Sequence, residues 1–119
     1  MNKLFLDDFK AGQVYPLGSR SLSEQEIIAF AERYDPQPFH IDPDAAADTI
    51  YGGVIASGWQ TACVFGRLFV DGLLNRSAAM GSPGLDELRW LKPVRPGERL
   101  EARVQVMEAR PSRSKPDRG

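Results

Sequence analysis

From Ser57 and Gly58 the chain enters an apolar run, Trp59 to Leu74, and this run limits the possible folds more than any other feature. Trp59, Ala62, Cys63, Val64, Phe65, Leu68, Phe69, Leu73 and Leu74 cover most of the circumference of a helix at this spacing. A helix that is apolar nearly all round needs cover nearly all round, so it belongs at the centre of the fold. Arg67 and Asp71 interrupt the run, which is also shorter than the roughly 20 residues that cross a bilayer. It reads as a buried helix, not a membrane span.

The flanking segments carry local signals for what surrounds it. Val14 and Tyr15, within Phe9 to Leu17, are bracketed by Gly12 and Pro16 and predict at most a short edge strand. Ser23 followed by Glu26 is a capping box, and Ile27, Phe30, Ala31 and Tyr34 share one stripe, which predicts a helix from about Glu24 to Arg33. Pro36 and Pro38 end it near Asp35. Asp42 before Pro43 predicts an N-cap and a short Ala-rich helix that Gly52 and Gly53 terminate. Asn75 to Gly84 reads as a connecting loop. Two strands are expected after it, one from about Leu85 to Pro93 and one in which Leu100, Ala102, Val104 and Val106 alternate with polar residues. Between them Arg95-Pro96-Gly97-Glu98 has the residues of a type II turn. The polar tail from Arg110 to Gly119 resembles the loop of a hairpin without its return strand and leaves the edge of Leu100 to Val106 unpaired, so the reading is one domain over residues 1–119 in which either a partner chain covers that edge or the C-terminal strands are lacking.

Composition narrows the function classes. With 119 residues and 42% hydrophobic content, one core without staples is sufficient. A net charge of -1 offers no general attraction to nucleic acid or an anionic membrane, so small molecules and like chains are the expected partners. The first ten residues carry Asp7 and Asp8 and lack the apolar core of a secretory signal, and the single Cys63 forms no internal disulfide. A cytoplasmic location is expected. One histidine and one distant cysteine make no metal-ligand set, so no metal is expected, and Cys63 is read as an inert thiol inside the apolar helix.

Histidine chemistry in this chain must use His40, and Asp35 is its obvious companion, joined to it by a segment that Pro36 and Pro38 stiffen. A carboxylate and an imidazole that share one water can remove a proton from it and return one to the same face of a substrate. The competing reading makes Asp35 a turn cap and lets His40 satisfy local backbone groups. A second cluster, Tyr51-Gly52-Gly53-Val54-Ile55-Ala56-Ser57-Gly58, delivers the chain to the start of the apolar helix. Backbone N–H groups gather there, and Gly58 allows close approach, so this end can stabilise an enolate as an oxyanion hole; equally, Ser57 can be an ordinary cap and Gly58 a packing glycine. Gly53, Ser57 and Trp59 are the expected substrate contacts around this turn. Arg89, Lys92, Arg95, Arg113, Lys115 and Arg118 read as a solvated surface, some of which can meet the phosphates of a coenzyme A carrier.

Tyr34-Asp35-Pro36-Gln37-Pro38-Phe39-His40-Ile41-Asp42-Pro43, followed by Gly52-Gly53-Val54-Ile55-Ala56-Ser57-Gly58-Trp59, closely resembles the MaoC-like dehydratases and their (R)-specific enoyl-CoA hydratase branch. The likeness continues more loosely through Leu88-Arg89-Trp90-Leu91-Lys92-Pro93-Val94-Arg95-Pro96-Gly97 and into Ser112-Arg113-Ser114-Lys115. It implies an α+β hot-dog fold, an antiparallel sheet wrapped around a long central helix, with subunits pairing as homodimers or higher homo-oligomers and sites near the interface. It also implies hydration of a trans-2-enoyl-CoA to a 3-hydroxyacyl-CoA. Asp35 and His40 match the family's water-holding pair and Gly58 its oxyanion amide; no cofactor is expected beyond the coenzyme A of the substrate. Gln37 stands where the signature has asparagine, Tyr34 where it has glycine, and Cys63 where some members carry serine. Two other functions keep the fold: a non-catalytic thioester-binding or subunit-pairing module, and a hot-dog thioesterase.

Overall fold

The computed structural model describes residues 3–119. Its regular elements are β1 (Val14–Ser21), α1 (Glu24–Tyr34), α2 (Pro38–Ile41), α3 (Pro43–Ala47), α4 (Gly58–Gly72) and β2 (Arg99–Gln105), with two single-turn 3-10 segments at Leu6–Asp8 and Leu74–Arg76. The two strands form an antiparallel pair: Val106 N–H donates to the Gln13 carbonyl near one end and Gly97 N–H to the Leu22 carbonyl near the other. The chain divides into two compact units. One comprises the described part of Met1–Gly18 with Arg67–Pro83 and Glu101–Gly119; the other comprises Ser19–Gly66 and Gly84–Leu100.

The second unit contains the three N-terminal helices and the start of α4. Ser23 caps α1 through both arms of the capping box, its Oγ accepting from Glu26 N–H at 3.1 Å and its own N–H donating to Glu26 Oε1 at 3.2 Å. Ile27 and Ala31, four apart, form the buried stripe of α1. Between the two prolines and Asp42 the chain makes one more helical turn, α2, with Pro38 at its first position. The sequence reading expected a stiff loop there. His40 therefore sits on a helical turn, its N–H donating to the Gln37 carbonyl at 2.9 Å. Asp42 caps α3, as predicted, accepting from the N–H groups of Asp44 and Ala45. That helix ends at Ala47, five residues before Gly52, because the Thr49 hydroxyl takes the Ala46 carbonyl and starts the turn early.

In the first unit Leu17 of β1 lies against Gly72 near the end of α4; a Cβ on Gly72 would approach Leu17 Cδ2 to 3.0 Å, so this contact needs a glycine. Leu4 bridges Ser77 in parallel, exchanging hydrogen bonds with Arg76 and Ala78. An open depression of about 340 Å³ is lined by residues 6, 7, 9–11 and 107–111 and contains none of the predicted site residues.

Three further expectations change. β1 is eight residues long and runs on to Ser21, beyond the short strand expected around Val14 and Tyr15 within Phe9 to Leu17. Pro16 is tolerated because β1 has a single neighbour, so one of its edges needs no N–H donors. The strand expected over Leu85 to Pro93 is not formed: this segment is almost wholly exposed and no neighbouring strand pairs with it among the described residues. The turn after it does form, with Gly97 at φ +80° and Glu98 N–H donating to the Arg95 carbonyl. The third change concerns α4, which buries Gln60 and Val64 on one side while Trp59, Cys63 and Val70 remain exposed on another. Cys63 is thus an exposed thiol and not a core one, because two strands cannot surround a helix of this length. Among the described residues no helix is long and apolar enough to cross a membrane.

Candidate active site

Asp35 is the C-cap of α1, where φ -156° and ψ 64° turn the chain out of the helix before Pro36. Three groups then converge on its carboxylate. The Ser57 hydroxyl donates to Oδ2 at 2.7 Å, the Gln37 side-chain amide donates to Oδ1 at 2.7 Å, and His40 Nε2 lies 3.3 Å from Oδ2. Both donors and the neighbouring imidazole hold the Asp35 carboxyl below the ordinary carboxylate range, with Ser57 the largest cause, then Gln37; partial burial opposes them and His40 adds a smaller lowering.

His40 is 5% exposed, and its other ring nitrogen is already engaged: Nδ1 lies 2.6 Å from the Ile55 carbonyl oxygen. A carbonyl only accepts, so Nδ1 carries a proton and the neutral ring presents a lone pair at Nε2. The ring also packs edge-on against Phe39, whose carbonyl accepts from Ile55 N–H. Ile55 is thereby engaged through both its N–H and its carbonyl, which fixes the position of the imidazole. Nε2 and Asp35 Oδ2 are both acceptors when the ring is neutral. Either a proton on the ring or a water donating to both satisfies them.

The turn into α4 approaches the same carboxylate. Ser57 has no exposed surface, donates to Asp35, and accepts from Trp59 N–H at 3.3 Å. The next residue, Gly58, opens α4, and its N–H has no acceptor among the described residues. A free donor therefore stands at the positive end of a 15-residue helix, one residue from a serine tied to the Asp35 carboxylate. The Gly58 α-carbon is covered by the Trp90 indole: a Cβ there would fall 2.5 Å from Cε2 and 2.6 Å from Cδ2. Trp59, 59% exposed, packs edge-to-face on Trp90 with ring centroids 5.7 Å apart.

Of the residues expected from the sequence, Asp35, His40, Ser57 and Gly58 are brought together, and Trp59 adjoins them. Ser57, expected to touch substrate, is buried and its hydroxyl engaged. Gly53 has open space where a side chain would stand and a φ outside the left-handed region, so no local packing demands a glycine there. Arg89, Arg95 and Arg118, considered for coenzyme A phosphates, are held by Glu87, the Tyr51 carbonyl and Asp117 respectively. Sequence reasoning did not single out Gln37, Ile55 or Trp90 for these contacts. Gln37 carried a signal, an amide two residues from the carboxylate between two prolines; Ile55 acts through its backbone and carried none.

Comparison with known proteins identifies the family and the fold. Residues 9–118 match the family described as MaoC like domain. The solved structure of the MaoC-like dehydratase from Rhodospirillum rubrum superposes with a TM-score of 0.87 at 39% identity, over 96% of this chain and 77% of that one. The chain is 31% identical to the uncharacterized protein YdeM of Bacillus subtilis (strain 168) over 109 residues, 92% of this chain and 77% of the relative. It is also 31% identical to the 3-hydroxybutyryl-CoA dehydratase of Methylorubrum extorquens over 111 residues, 92% of this chain and 68% of the relative. The α+β hot-dog fold expected from the sequence is the fold of this chain, with a two-stranded sheet among the described residues.

Proposed function

The chain belongs to the MaoC-like domain family, and from that premise we propose that it is an enoyl-thioester hydratase, or a dehydratase in the reverse direction, acting on coenzyme A esters. The observation that carries this reading is the His40 ring held by the Ile55 carbonyl at Nδ1 with Nε2 facing the Asp35 carboxylate. Support for the substrate class comes from the relative that is named a 3-hydroxybutyryl-CoA dehydratase.

In the proposed reaction a water donates one hydrogen to Nε2 of neutral His40 and the other to Asp35 Oδ2. Its oxygen bonds to C3 of the trans-2-enoyl thioester while its proton passes to Nε2. The C2–C3 π electrons move toward the thioester carbonyl, and the negative charge that develops there is met by the Gly58 N–H at the start of α4. The imidazolium, steadied by Asp35, then returns a proton to C2 and the 3-hydroxyacyl thioester results. His40 is thus the proton carrier. Asp35 stays ionised throughout, in keeping with its lowered pKa. Coenzyme A enters as part of the substrate, and no further cofactor has a step. We also infer that the chain pairs with a second copy, since Trp59, Leu85 and Leu91 are large apolar side chains left exposed in the single chain.

Incubation of the purified protein with crotonyl-CoA tests the reaction, with enoyl absorbance and free thiol followed together. Loss of absorbance without thiol release is expected, and Asp35→Asn and His40→Gln should each lower the rate by about 10²- to 10⁴-fold. Release of thiol at the rate of absorbance loss would make the protein a thioesterase. Binding of crotonyl-CoA with neither change would leave a non-catalytic module.

A further inference from the structure

Ser57 differs from every other polar side chain around Asp35 in having no access to solvent. Its hydroxyl has two hydrogen bonds and each has one direction. Trp59 N–H can only donate, so it takes a lone pair of Oγ, and the hydroxyl proton is left for Asp35 Oδ2 at 2.7 Å. A surface serine would rotate among water partners; this one cannot. The bond also spans two parts of the site, because Asp35 ends α1 whereas Ser57 immediately precedes Gly58, the first residue of α4.

We propose that Ser57 is a positioning residue, whose buried hydroxyl fixes Asp35 against His40 and ties that pair to the Gly58 amide. This rests on the hydratase reading and deepens it. Hydration requires the attacking water and the thioester carbonyl to be placed together, since C3 receives the oxygen while the carbonyl oxygen receives the charge. The water is held by Asp35 and His40, the carbonyl by the start of α4. One hydroxyl connects the two, so its loss lets the carboxylate swing on Gln37 alone and changes the register between water and acceptor. The groups facing Asp35 are Ser57 from the turn before α4, Gln37 from the turn after α1 and His40 from α2; among the described residues no other charged side chain pairs with it.

The test compares wild type, Ser57→Ala and Ser57→Cys, the last retaining a buried side chain of similar shape with a weaker donor. Two measurements are made on each: the separate effects on kcat and KM with crotonyl-CoA, and the titration of the Asp35 carboxyl by 13C NMR without substrate. In Ser57→Ala, kcat should fall on the order of tenfold to a hundredfold, the worth of a hydrogen bond to a charged group, with KM changed less. The Asp35 titration should move to higher pH, and Ser57→Cys should lie between. An unmoved Asp35 titration in a folded variant overturns the proposal, even if the rate drops. If Ser57→Ala does not fold, Ser57→Cys decides by the same titration. Inactive wild type would defeat the hydratase reading instead, and the substrate-free titration would still decide whether Ser57 holds Asp35.

Discussion

Asp35 has both carboxylate oxygens occupied by donors before any substrate arrives, and this determines how it responds to pH. Its folded pKa lies below the unfolded value, so it contributes stability that is present above the unfolded carboxylate pKa and lost as pH falls through the lowered one. Asp35→Asn removes that contribution. In urea unfolding, the stability gap between wild type and Asp35→Asn should be widest near neutral pH and close below about pH 4. A gap independent of pH would show that the carboxylate gains nothing from its donors. At this scale the sequence was partly legible. Asp35 and His40 could be paired from the proline-stiffened spacing and from family likeness. The Ile55 carbonyl that sets the histidine tautomer could not, because any residue supplies a carbonyl and only its placement matters.

The elements around the site are held by caps and by one tight contact. Ser23→Ala should cost about 1 kcal/mol, seen as a lower urea midpoint at unchanged slope, since it removes one arm of the box that starts α1. The start of α4 is more constrained, because the Trp90 ring occupies the space a Gly58 side chain would need. Gly58→Ala must displace the indole and should destabilise by about 1–3 kcal/mol with a change in tryptophan fluorescence. Adding Trp90→Ala to Gly58→Ala should recover part of that loss; strict additivity in the double-mutant cycle would mean the ring does not press on Gly58. Helices α1 and α4 were readable because capping and apolar periodicity are local. The turn at α2 escaped notice because two prolines two residues apart favour an extended chain, and here Pro38 serves as a first helical residue instead.

For the molecule as a whole, the exposed apolar residues of α4 and of the segment before β2 carry the expectation of a partner copy. Sedimentation velocity at micromolar concentration should give a species of twice the monomer mass, and a fully active monomer would remove the dimer from the reading. The same surfaces explain where inference from sequence ended. A period of hydrophobic residues reports that a face must be covered, and it marked α4 and β2 correctly. It does not report by what: the segment Leu85 to Pro93 has the residues of a strand but no neighbouring strand, and Cys63 has the neighbours of a core thiol but lies open. Element type, the caps and the pairing of Asp35 with His40 follow from interactions within a few residues along the chain, or from a motif that keeps them together. The junction of Ser57 with Asp35, 22 positions apart, and of Trp90 with Gly58 depends on where the backbone returns in space, and no local preference of either residue encodes that return.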